Sequence, residues 1–312
     1  MAEKIATREA YGKALAEFSK DYDIVVMDAD LAAATKTGIF KKACPERFFD
    51  CGIAEGNMMS TAAGLAACGK TVFASSFAMF AAGRAFEQIR NSICYPNLNV
   101  KIGATHGGIS VGEDGATHQC LEDIGIMRTI PNMVVINPCD AVETRAAVKA
   151  AIEHNGPVYL RFCRLATNVL FEQDNFKFEI GKGITLKDGK NVSIIANGLM
   201  VEKAFEAAEL LEKEGISTRV IDMHTVKPID KELVLKAAAE TGAIVTAEEH
   251  NIYGGLGSAV AEVVCEGKPV PVMRVGTLDK FGKSGKPAEL FELYGLTAQN
   301  IAVKAKEAIA LK

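Results

Sequence analysis

The sequence has no long apolar run and no Cys-x-x-Cys pair among its eight cysteines. No hydrophobic stretch is long enough to cross a bilayer, and the first residues lack the basic-then-apolar pattern of a signal peptide. We therefore expect a cytoplasmic protein. Cysteine and histidine pairs at zinc-ligand spacing are also missing, so we interpret the cysteines as reduced small hydrophobic residues, not as a disulfide framework or a zinc site.

The sequence also has no large excess of either positive or negative charge. Lysine and arginine total 35 against 39 aspartates and glutamates, for a net charge of −4. This balance gives no reason to expect nucleic acid or an anionic membrane as the main ligand. What remains is 312 residues, 49% hydrophobic and 24% charged, which is ordinary for a globular protein and enough for two domains with separate cores.

Short apolar runs alternate with helical patterns through residue 163. The runs are continuous, which is typical of parallel strands covered on both faces. Residues 171–190 are polar, without a helical period, and indicate a linker. The sequence predicts two parallel-sheet α/β domains, residues 1–170 and 191–312. Predicted strands are 23–27, 71–74, 100–104, 133–136, 158–162, 192–196, 218–221, 243–247 and 270–275, and predicted helices are 8–18, 81–93, 141–154, 201–213, 231–241, 257–265 and 297–310.

One carboxylate interrupts the apolar run at residues 52–59, Gly-Ile-Ala-Glu-Gly-Asn-Met-Met. We predict that this residue, Glu55, is buried where a helix of small residues begins. Burying a charge is costly unless the group is paired or protonated, so such a carboxyl usually has a specific partner. A carboxylate that interacts only with the helix dipole is the simpler interpretation, and Glu55 considered alone favours it.

The densest polar cluster spans residues 105–119 and contains four glycines, two histidines and two adjacent carboxylates. Such a loop indicates proton transfer or recognition of a hydroxylated ligand. A metal site is the main alternative. However, His106 and His118 are too far apart in the sequence for local chelation, and Glu113-Asp114-Gly115 does not match a calcium loop. A solvated turn would not need both histidines.

Other polar residues follow the predicted strands of the first domain. In open parallel sheets, ligands bind at the carboxyl ends of strands, so we expect the site in that domain. These segments are Asp28-Ala29-Asp30, Ser75-Ser76-Phe77, Thr105 to Gly108 and Arg161 to Arg164.

The loop sequence Gly-Glu-Asp-Gly-Ala-Thr-His-Gln, preceded by Thr-His, closely resembles the substrate loop of transketolases, where proline usually replaces Ala116. Residues 76–80, Ser-Phe-Ala-Met-Phe, resemble that family's Ser/Thr-Phe-x-x-Phe segment. The resemblance covers essentially the whole chain in matching order and spacing. Further matching segments are Thr7-Arg8, Phe162-Cys163-Arg164, residues 28–31, residues 224–230, Glu248-Glu249-His250 and residues 254–257.

The resemblance implies a pyrimidine-binding domain for thiamine diphosphate, followed by a transketolase C-terminal domain. Glu55 would bond the aminopyrimidine ring and favour the tautomer that can remove the cofactor's proton, which requires a buried carboxyl in apolar surroundings. Phe77 and Phe80 would pack on the pyrimidine, although without the resemblance they would be interpreted as core aromatics. Asp30 and His118 would also contact the cofactor, and His118 would assist proton transfer.

The resemblance also implies how substrate is held. Asp114 would bind the acceptor's C2 hydroxyl, and His106, Arg8 and Arg164 would bind a terminal phosphate, for which guanidinium is well suited. Arg161 remains an alternative to Arg164, and a solvated Arg8 remains open.

Three further positions depart from the family pattern. Asp28 and Ala34 replace serines, and Gly83 replaces a third aromatic residue near the pyrimidine. These departures leave open an altered substrate preference or a looser pyrimidine pocket.

The chain contains no Gly-Asp-Gly, with which the family holds the diphosphate and its Mg²⁺ or Ca²⁺. The nearest approach, residues 187–191, lies in the predicted linker. A complete transketolase is also far longer. The resemblance therefore implies the C-terminal subunit of a split transketolase, inactive alone, with no metal ligand of its own. An N-terminal subunit would carry the diphosphate domain and the metal, and two such pairs would form an α2β2 heterotetramer.

The implied reaction transfers a two-carbon ketol unit from a ketose phosphate to an aldose phosphate. This chemistry belongs to pentose phosphate recycling or to biosynthetic pentose supply. Three alternatives stay open at this point. They are a 1-deoxyxylulose-5-phosphate synthase-like fragment, a 2-oxo acid dehydrogenase β-type subunit and a non-catalytic assembly subunit of the same fold.

Overall fold

Two parallel sheets with helices packed against them form the framework of the protein, as the sequence predicts. The computed structural model describes residues 4–312. The strands are β1 (Lys4–Ala6), β2 (Ile24–Asp28), β3 (Phe48–Asp50), β4 (Thr71–Phe77), β5 (Val100–Thr105), β6 (Val134–Ile136), β7 (Val158–Arg161), β8 (Ala166–Asn168), β9 (Ile184–Lys187), β10 (Val192–Ala196), β11 (Thr218–Asp222), β12 (Thr225–Lys227), β13 (Ile244–Asn251) and β14 (Val272–Thr277).

Helices connect most of the parallel strands. They are α1 (Thr7–Phe18), α2 (Ala32–Thr35), α3 (Gly38–Ala43), α4 (Glu55–Ala67), α5 (Phe86–Gln88), α6 (Asp123–Arg128), α7 (Ala141–Glu153), α8 (Met200–Lys213), α9 (Lys231–Thr241), α10 (Leu256–Glu266), α11 (Pro287–Tyr294) and α12 (Ala298–Ala310). Short 3₁₀ turns occupy Pro45–Arg47, Ile109–Asp114 and Gln173–Asn175, and π-helical turns occupy Met79–Arg84 and Ile89–Cys94.

The first sheet has seven strands in the order β12-β6-β7-β5-β4-β2-β3, and all are parallel except the edge strand β12. The second has five strands in the order β14-β13-β10-β11-β9, parallel except for β9. A short antiparallel pair, β1 with β8, ties the start of the described chain to the end of the first domain.

The buried strands explain the continuous apolar runs of the sequence. Every residue of β2 is buried because alternate side chains enter different cores. Val25 and Met27 belong to the largest core, whereas Ile24 and Val26 belong to a second one on the opposite face. The largest core also contains Ile195 and Ile221 of the second sheet, so it is shared by both domains.

Two elements differ from the sequence predictions. In place of the predicted helix at residues 81–93, the structure has two π-helical turns on either side of the short α5. A π-helical turn is wider than an α-helical turn and contains more residues. Within the predicted linker, Ile184–Lys187 forms β9, which pairs with β11 and extends the second sheet. The sequence did not reveal β9, because this edge strand is only four residues long, Ile-Thr-Leu-Lys, and lies within a polar segment.

Within residues 4–312, no helix combines the length and hydropathy needed to span a bilayer. The eight cysteines are free thiols, and five of them, Cys44, Cys94, Cys120, Cys139 and Cys163, are buried.

Candidate active site

The carboxyl ends of four neighbouring strands define one edge of the first sheet. Asp28 ends β2, Phe77 ends β4, Thr105 ends β5 and Arg161 ends β7. Because these strands are parallel and adjacent, their carboxyl ends meet at the same edge. The loops that leave this edge carry most of the residues that the sequence singled out.

Glu55 is the first residue of α4 and is 2% exposed, which confirms its predicted burial. Both of its carboxylate oxygens accept a hydrogen bond from Nη1 of Arg84, each at 2.9 Å. Arg84 is half exposed, and its guanidinium also lies over the Phe80 ring, 4.5 Å from the centroid. The buried carboxylate therefore has a cationic partner, which burial of a charge requires.

Aromatic side chains continue from Arg84 across the site. The Phe77 and Phe80 rings are nearly parallel, with centroids 5.7 Å apart. His118 meets Phe80 edge-on at 5.3 Å and Phe77 at 6.2 Å. The structure thus joins three of the predicted residues directly, and Arg84 links them to Glu55.

His106 extends this line of contacts to the arginines. Its ring stacks on Phe77 at 3.9 Å, and its Nε2 lies 3.2 Å from Nη1 of Arg8. Arginine can only donate, so Nε2 accepts, and Nδ1 carries the proton that it donates to Thr105 Oγ1 at 2.9 Å. Burial, together with the positive charges of Arg8 and Arg164, lowers the pKa of His106 to about 3. The imidazole is therefore neutral near pH 7.

Arg164 lies on the loop side of the site. Its Nη1 is 3.4 Å from Glu113 and 4.0 Å from Asp114, and it also donates to the carbonyl of Val111. Burial and the positive charge of Arg164 lower the pKa of Arg8. Arg161, the alternative raised by the sequence, is buried and paired with Asp123 at 2.8 Å. Only Arg164 of these two contacts the substrate-loop residue Asp114.

Asp30 stands apart from this group. It is exposed at the end of β2 and has a left-handed backbone, with φ of 62°. In the described part of the chain, no hydrogen bond joins its side chain to Glu55, Phe80 or His118.

The three departures from the family pattern have structural counterparts. Asp28 is buried and accepts hydrogen bonds from Thr35 Oγ1 and Thr37 Oγ1 at 2.7 and 2.8 Å, and burial raises its pKa. The Ala34 carbonyl accepts from Arg8 Nη1 at 2.9 Å. A Cβ at Gly83 would come within 2.3 Å of the Met79 methyl, so Met79 fills the space that a side chain there would need.

A second group of potential ligands lies elsewhere. Among residues 4–312, Cys139, Glu143 and Asp222 are the set that offers three metal-type ligand atoms within 4.8 Å of one another. All three are buried, and they come from both domains. Burial raises the pKa of both carboxyls, which favours a protonated form at this position.

Sequence reasoning missed Arg84. Its only signal is its position four residues after Phe80, which would place both on one face of a helical segment. The contact with Glu55 spans 29 residues, and no local pattern shows it.

Chemically, the edge combines a buried carboxylate, a pair of aromatic faces, a histidine and two neighbouring cations. A buried carboxylate linked through Arg84 to stacked phenyl rings fits an aminopyrimidine, which offers a ring nitrogen and a flat π surface. Two guanidinium groups fit a terminal anion. The fold and this edge define an α/β protein of the pyrimidine-binding class with an appended second α/β domain.

The comparisons with known proteins agree. Residues 3–169 match the family model described as the transketolase pyrimidine-binding domain, and residues 181–301 match the transketolase C-terminal domain. The chain belongs to the transketolase family. The predicted domain types are thereby confirmed.

The most informative relatives are separate subunits. The chain is 51% identical to a putative transketolase C-terminal section of Methanocaldococcus jannaschii over 96% of this chain and 95% of that protein. It is 45% identical to a 6-deoxy-6-sulfo-D-fructose transketolase subunit of a Clostridium species, over 96% and 93% of the two chains. Against human transketolase it is 39% identical and spans 49% of that protein.

A solved structure supports the same family. A split-gene transketolase, described as an inactive β4 tetramer, superposes with a TM-score of 0.93 and 57% identity, covering 99% of both chains. These relatives do not favour the synthase-like or the 2-oxo acid dehydrogenase alternative.

Proposed function

We propose that this chain is the C-terminal subunit of a two-subunit transketolase and supplies the pyrimidine end of the thiamine diphosphate site. The observation that carries the proposal is Glu55, buried and connected through Arg84 to Phe80 and His118 at the carboxyl edge of the first sheet. When bound, thiamine diphosphate supplies the carbon nucleophile that takes up the two-carbon unit.

In this proposal each side chain has a limited task. The Glu55 carboxyl bonds the ring nitrogen of the pyrimidine, while Phe77 and Phe80 cover its face and exclude water. His118, half-buried beside Phe80, holds or moves a proton at a substrate hydroxyl. Asp30 is proposed as a further cofactor contact on the resemblance alone.

The other end of the site suits an anionic sugar. Arg8 and Arg164 provide guanidinium groups for a terminal phosphate, and Asp114, beside Arg164, is placed to accept from a sugar hydroxyl. His106 is neutral in this arrangement, and its Nε2 accepts from Arg8. We infer that His106 orients Arg8 and does not add charge. Ketose and aldose phosphates are the proposed substrates.

The proposal requires an N-terminal partner subunit. It would supply the diphosphate domain and the Mg²⁺ or Ca²⁺ ligands, because this sequence has no Gly-Asp-Gly. The split-gene relative and the sulfofructose transketolase subunit support two chains. Phe49 and Ile53, 48% and 77% exposed just before Glu55, leave apolar surface for a partner to cover. We propose an α2β2 assembly.

The test reconstitutes this chain with the N-terminal subunit and measures transfer from xylulose 5-phosphate to ribose 5-phosphate. We expect no turnover by this chain alone and turnover by the pair. Glu55→Ala should lower kcat/KM of the pair at least about 100-fold, because the pyrimidine loses its acid–base partner. The exposed Glu232→Ala, whose residue lies in α9, is the control and should leave kcat/KM unchanged.

Two outcomes would count against the proposal. Full ketol transfer by the Glu55→Ala pair would assign catalysis to another group and favour an assembly role for this chain. Turnover of pyruvate in place of the ketose phosphate would favour a synthase-like or 2-oxo acid activity.

A further inference from the structure

The second domain reaches into the loop that carries Asp114 and His118. Glu249, on β13, is 3% exposed, and its Oε1 accepts a hydrogen bond from the backbone N–H of Ser110 at 2.5 Å. Gln119, at the far end of the same loop, donates to the carbonyl of Lys283 at 2.9 Å. The loop is thus bonded at two points to residues that follow the first domain.

The approach of Glu249 depends on a glycine. Gly108 has φ of 90°, and a Cβ built there would lie 2.3 Å from the carboxyl carbon of Glu249. The carboxylate therefore packs directly against the loop backbone. No other residue type would allow both the left-handed conformation and this distance.

Arg161 holds the strand that carries Glu249. Its Nη2 donates to the Glu249 backbone carbonyl at 3.0 Å and to the Cys120 carbonyl at 3.3 Å. Its Nε is bonded to Asp123 at 2.8 Å. Arg161 and Asp123 are both buried, so this ion pair contacts no solvent and joins β7 and α6 of the first domain to β13. Arg161 thereby fixes the position of Glu249 relative to the loop.

Burial raises the pKa of Glu249 to about 7, against the opposing effects of the Arg161 charge and the Ser110 hydrogen bond. The negative charge of Asp123 also raises the pKa of Glu249, and the charge of Glu249 in turn raises the pKa of the Cys163 thiol. A buried carboxylate raises the free energy of the folded state unless its oxygens accept hydrogen bonds. The bond to Ser110 is therefore a substantial constraint on the loop.

We propose that Glu249 is a positioning residue through which the second domain fixes the backbone of the loop that presents Asp114 and His118. It touches neither substrate nor cofactor and acts through Ser110. The kinetic part of its test rests on the proposed function, whereas the structural part does not. The inference gives the second domain a task within the active site, beyond completing the fold.

The first measurement is hydrogen–deuterium exchange on the full chain alone. At about pH 8, above the pKa of Glu249, Glu249→Gln should speed exchange of the amides at residues 107–115 by at least about tenfold, because a hydrogen bond to a charged acceptor is replaced by a weaker one. Glu248→Gln is the matched control from the same strand. Its carboxylate accepts from Leu256 and Gly257 N–H at 2.7 and 2.8 Å, so its effect should fall on the first turn of α10.

The second measurement uses the reconstituted pair. Glu249→Gln should lower kcat/KM about tenfold, with a higher KM for the acceptor as well as a lower kcat, since Asp114 is displaced. Simple loss of folded protein would lower kcat alone. Glu248→Gln should retain the wild-type KM.

Three results would overturn the inference. The first is unchanged exchange at residues 107–115 in Glu249→Gln. The second is an equal increase in Glu248→Gln. The third is faster exchange with no change in KM or kcat. If the wild-type pair shows no ketol transfer, the proposed function fails, and the exchange experiment still decides whether Glu249 holds the loop.

Discussion

The carboxylate of Glu55 is buried, whereas Arg84, which neutralises it, is half exposed. One nitrogen of Arg84 bridges both carboxylate oxygens, and the same guanidinium covers Phe80. Solvent exposure of the arginine weakens the pair, but desolvation of the glutamate makes the loss of its partner costly. Arg84 is therefore the charged side chain that partners the buried Glu55 carboxyl.

Replacement of Arg84 should destabilise the protein. We expect Arg84→Gln to lower the free energy of unfolding by about 1–3 kcal/mol, because it leaves a buried carboxylate without its cationic partner. Arg90→Gln, at an exposed position in the second π-helical turn, Ile89–Cys94, should stay within about 0.5 kcal/mol of wild type. Urea unfolding of the full chain measures both. Equal stability of the two variants would show that Arg84 does not support Glu55.

Single residues of the candidate site were mostly predictable from local motifs. Glu55, Phe77, Phe80, His106 and His118 lie in distinctive short sequences, and the structure brings their side chains into one connected group. Two features of that group were not predictable. The Arg84 contact and the neutral state of His106 both depend on atoms that are distant in sequence.

At the scale of elements, the segment from His106 to Gln119 is shaped by its glycines. Gly108, Gly112 and Gly115 all have positive φ, and 3₁₀ turns at Ile109–Asp114 lie between them. A side chain at Gly108 would meet Glu249, and one at Gly112 would meet Pro287. The loop conformation is thus fitted to the second domain at several points.

Two glycine substitutions distinguish the packing of the loop against Glu249 from the general preference of helices for alanine over glycine. Gly108→Ala should destabilise the protein by at least about 2 kcal/mol, because the added Cβ clashes with Glu249 and the backbone is left-handed. Gly64→Ala, on the exposed face of α4 with open space around it, should instead stabilise by about 0.5–1 kcal/mol. Thermal and urea unfolding report both values. A neutral Gly108→Ala would mean that the loop can move away from Glu249.

Elements were predictable where burial dominates. The strands β2 and β10 have nearly continuous apolar sequences because both of their faces are covered. The short edge strand β9 was not predictable, because its four residues lie within a polar segment and its pairing with β11 is a tertiary contact. The π-helical turns around α5 were not predictable either, because their apolar spacing resembles that of an ordinary α-helix.

At the scale of the whole molecule, the two domains share structure. The strand β12, from the second half of the chain, pairs antiparallel with β6 and forms the edge of the first sheet. The largest core contains residues of both sheets. Between the domains, Glu143 of α7 and Asp222 at the end of β11 approach each other in a fully buried setting. The domains are therefore coupled by packing and by titratable groups.

This buried pair should make stability depend on pH. Burial raises the pKa of Asp222 to about 7 and raises that of Glu143, and the proximity of the two carboxyls adds to the effect on Glu143. In the unfolded chain both ionise near pH 4. Between about pH 4 and 7 the folded protein holds more protons, so its free energy of unfolding should fall as pH rises.

Asp222→Asn tests this dependence by removing one titrating group. From pH 5 to 7 its free energy of unfolding should fall less steeply than that of wild type, by up to about 1.4 kcal/mol per pH unit. Asp21→Asn, at an exposed position, should follow the wild-type curve. Urea unfolding at several pH values provides the comparison. Parallel curves for Asp222→Asn and wild type would show that this pair takes up no proton on folding.

The sequence by itself determined the alternation of strands and helices, the two α/β units and the motifs that carry Glu55, the phenylalanines and the histidine loop. It could do so because burial and backbone conformation impose local, periodic constraints on residue type. Only the tertiary structure decided that Arg84 pairs with Glu55, that Arg161 is internal while Arg164 reaches the loop, and that Glu249 of the second domain holds Ser110. Those contacts join residues up to 139 positions apart, and their energies depend on distances and desolvation that appear only when the chain is folded.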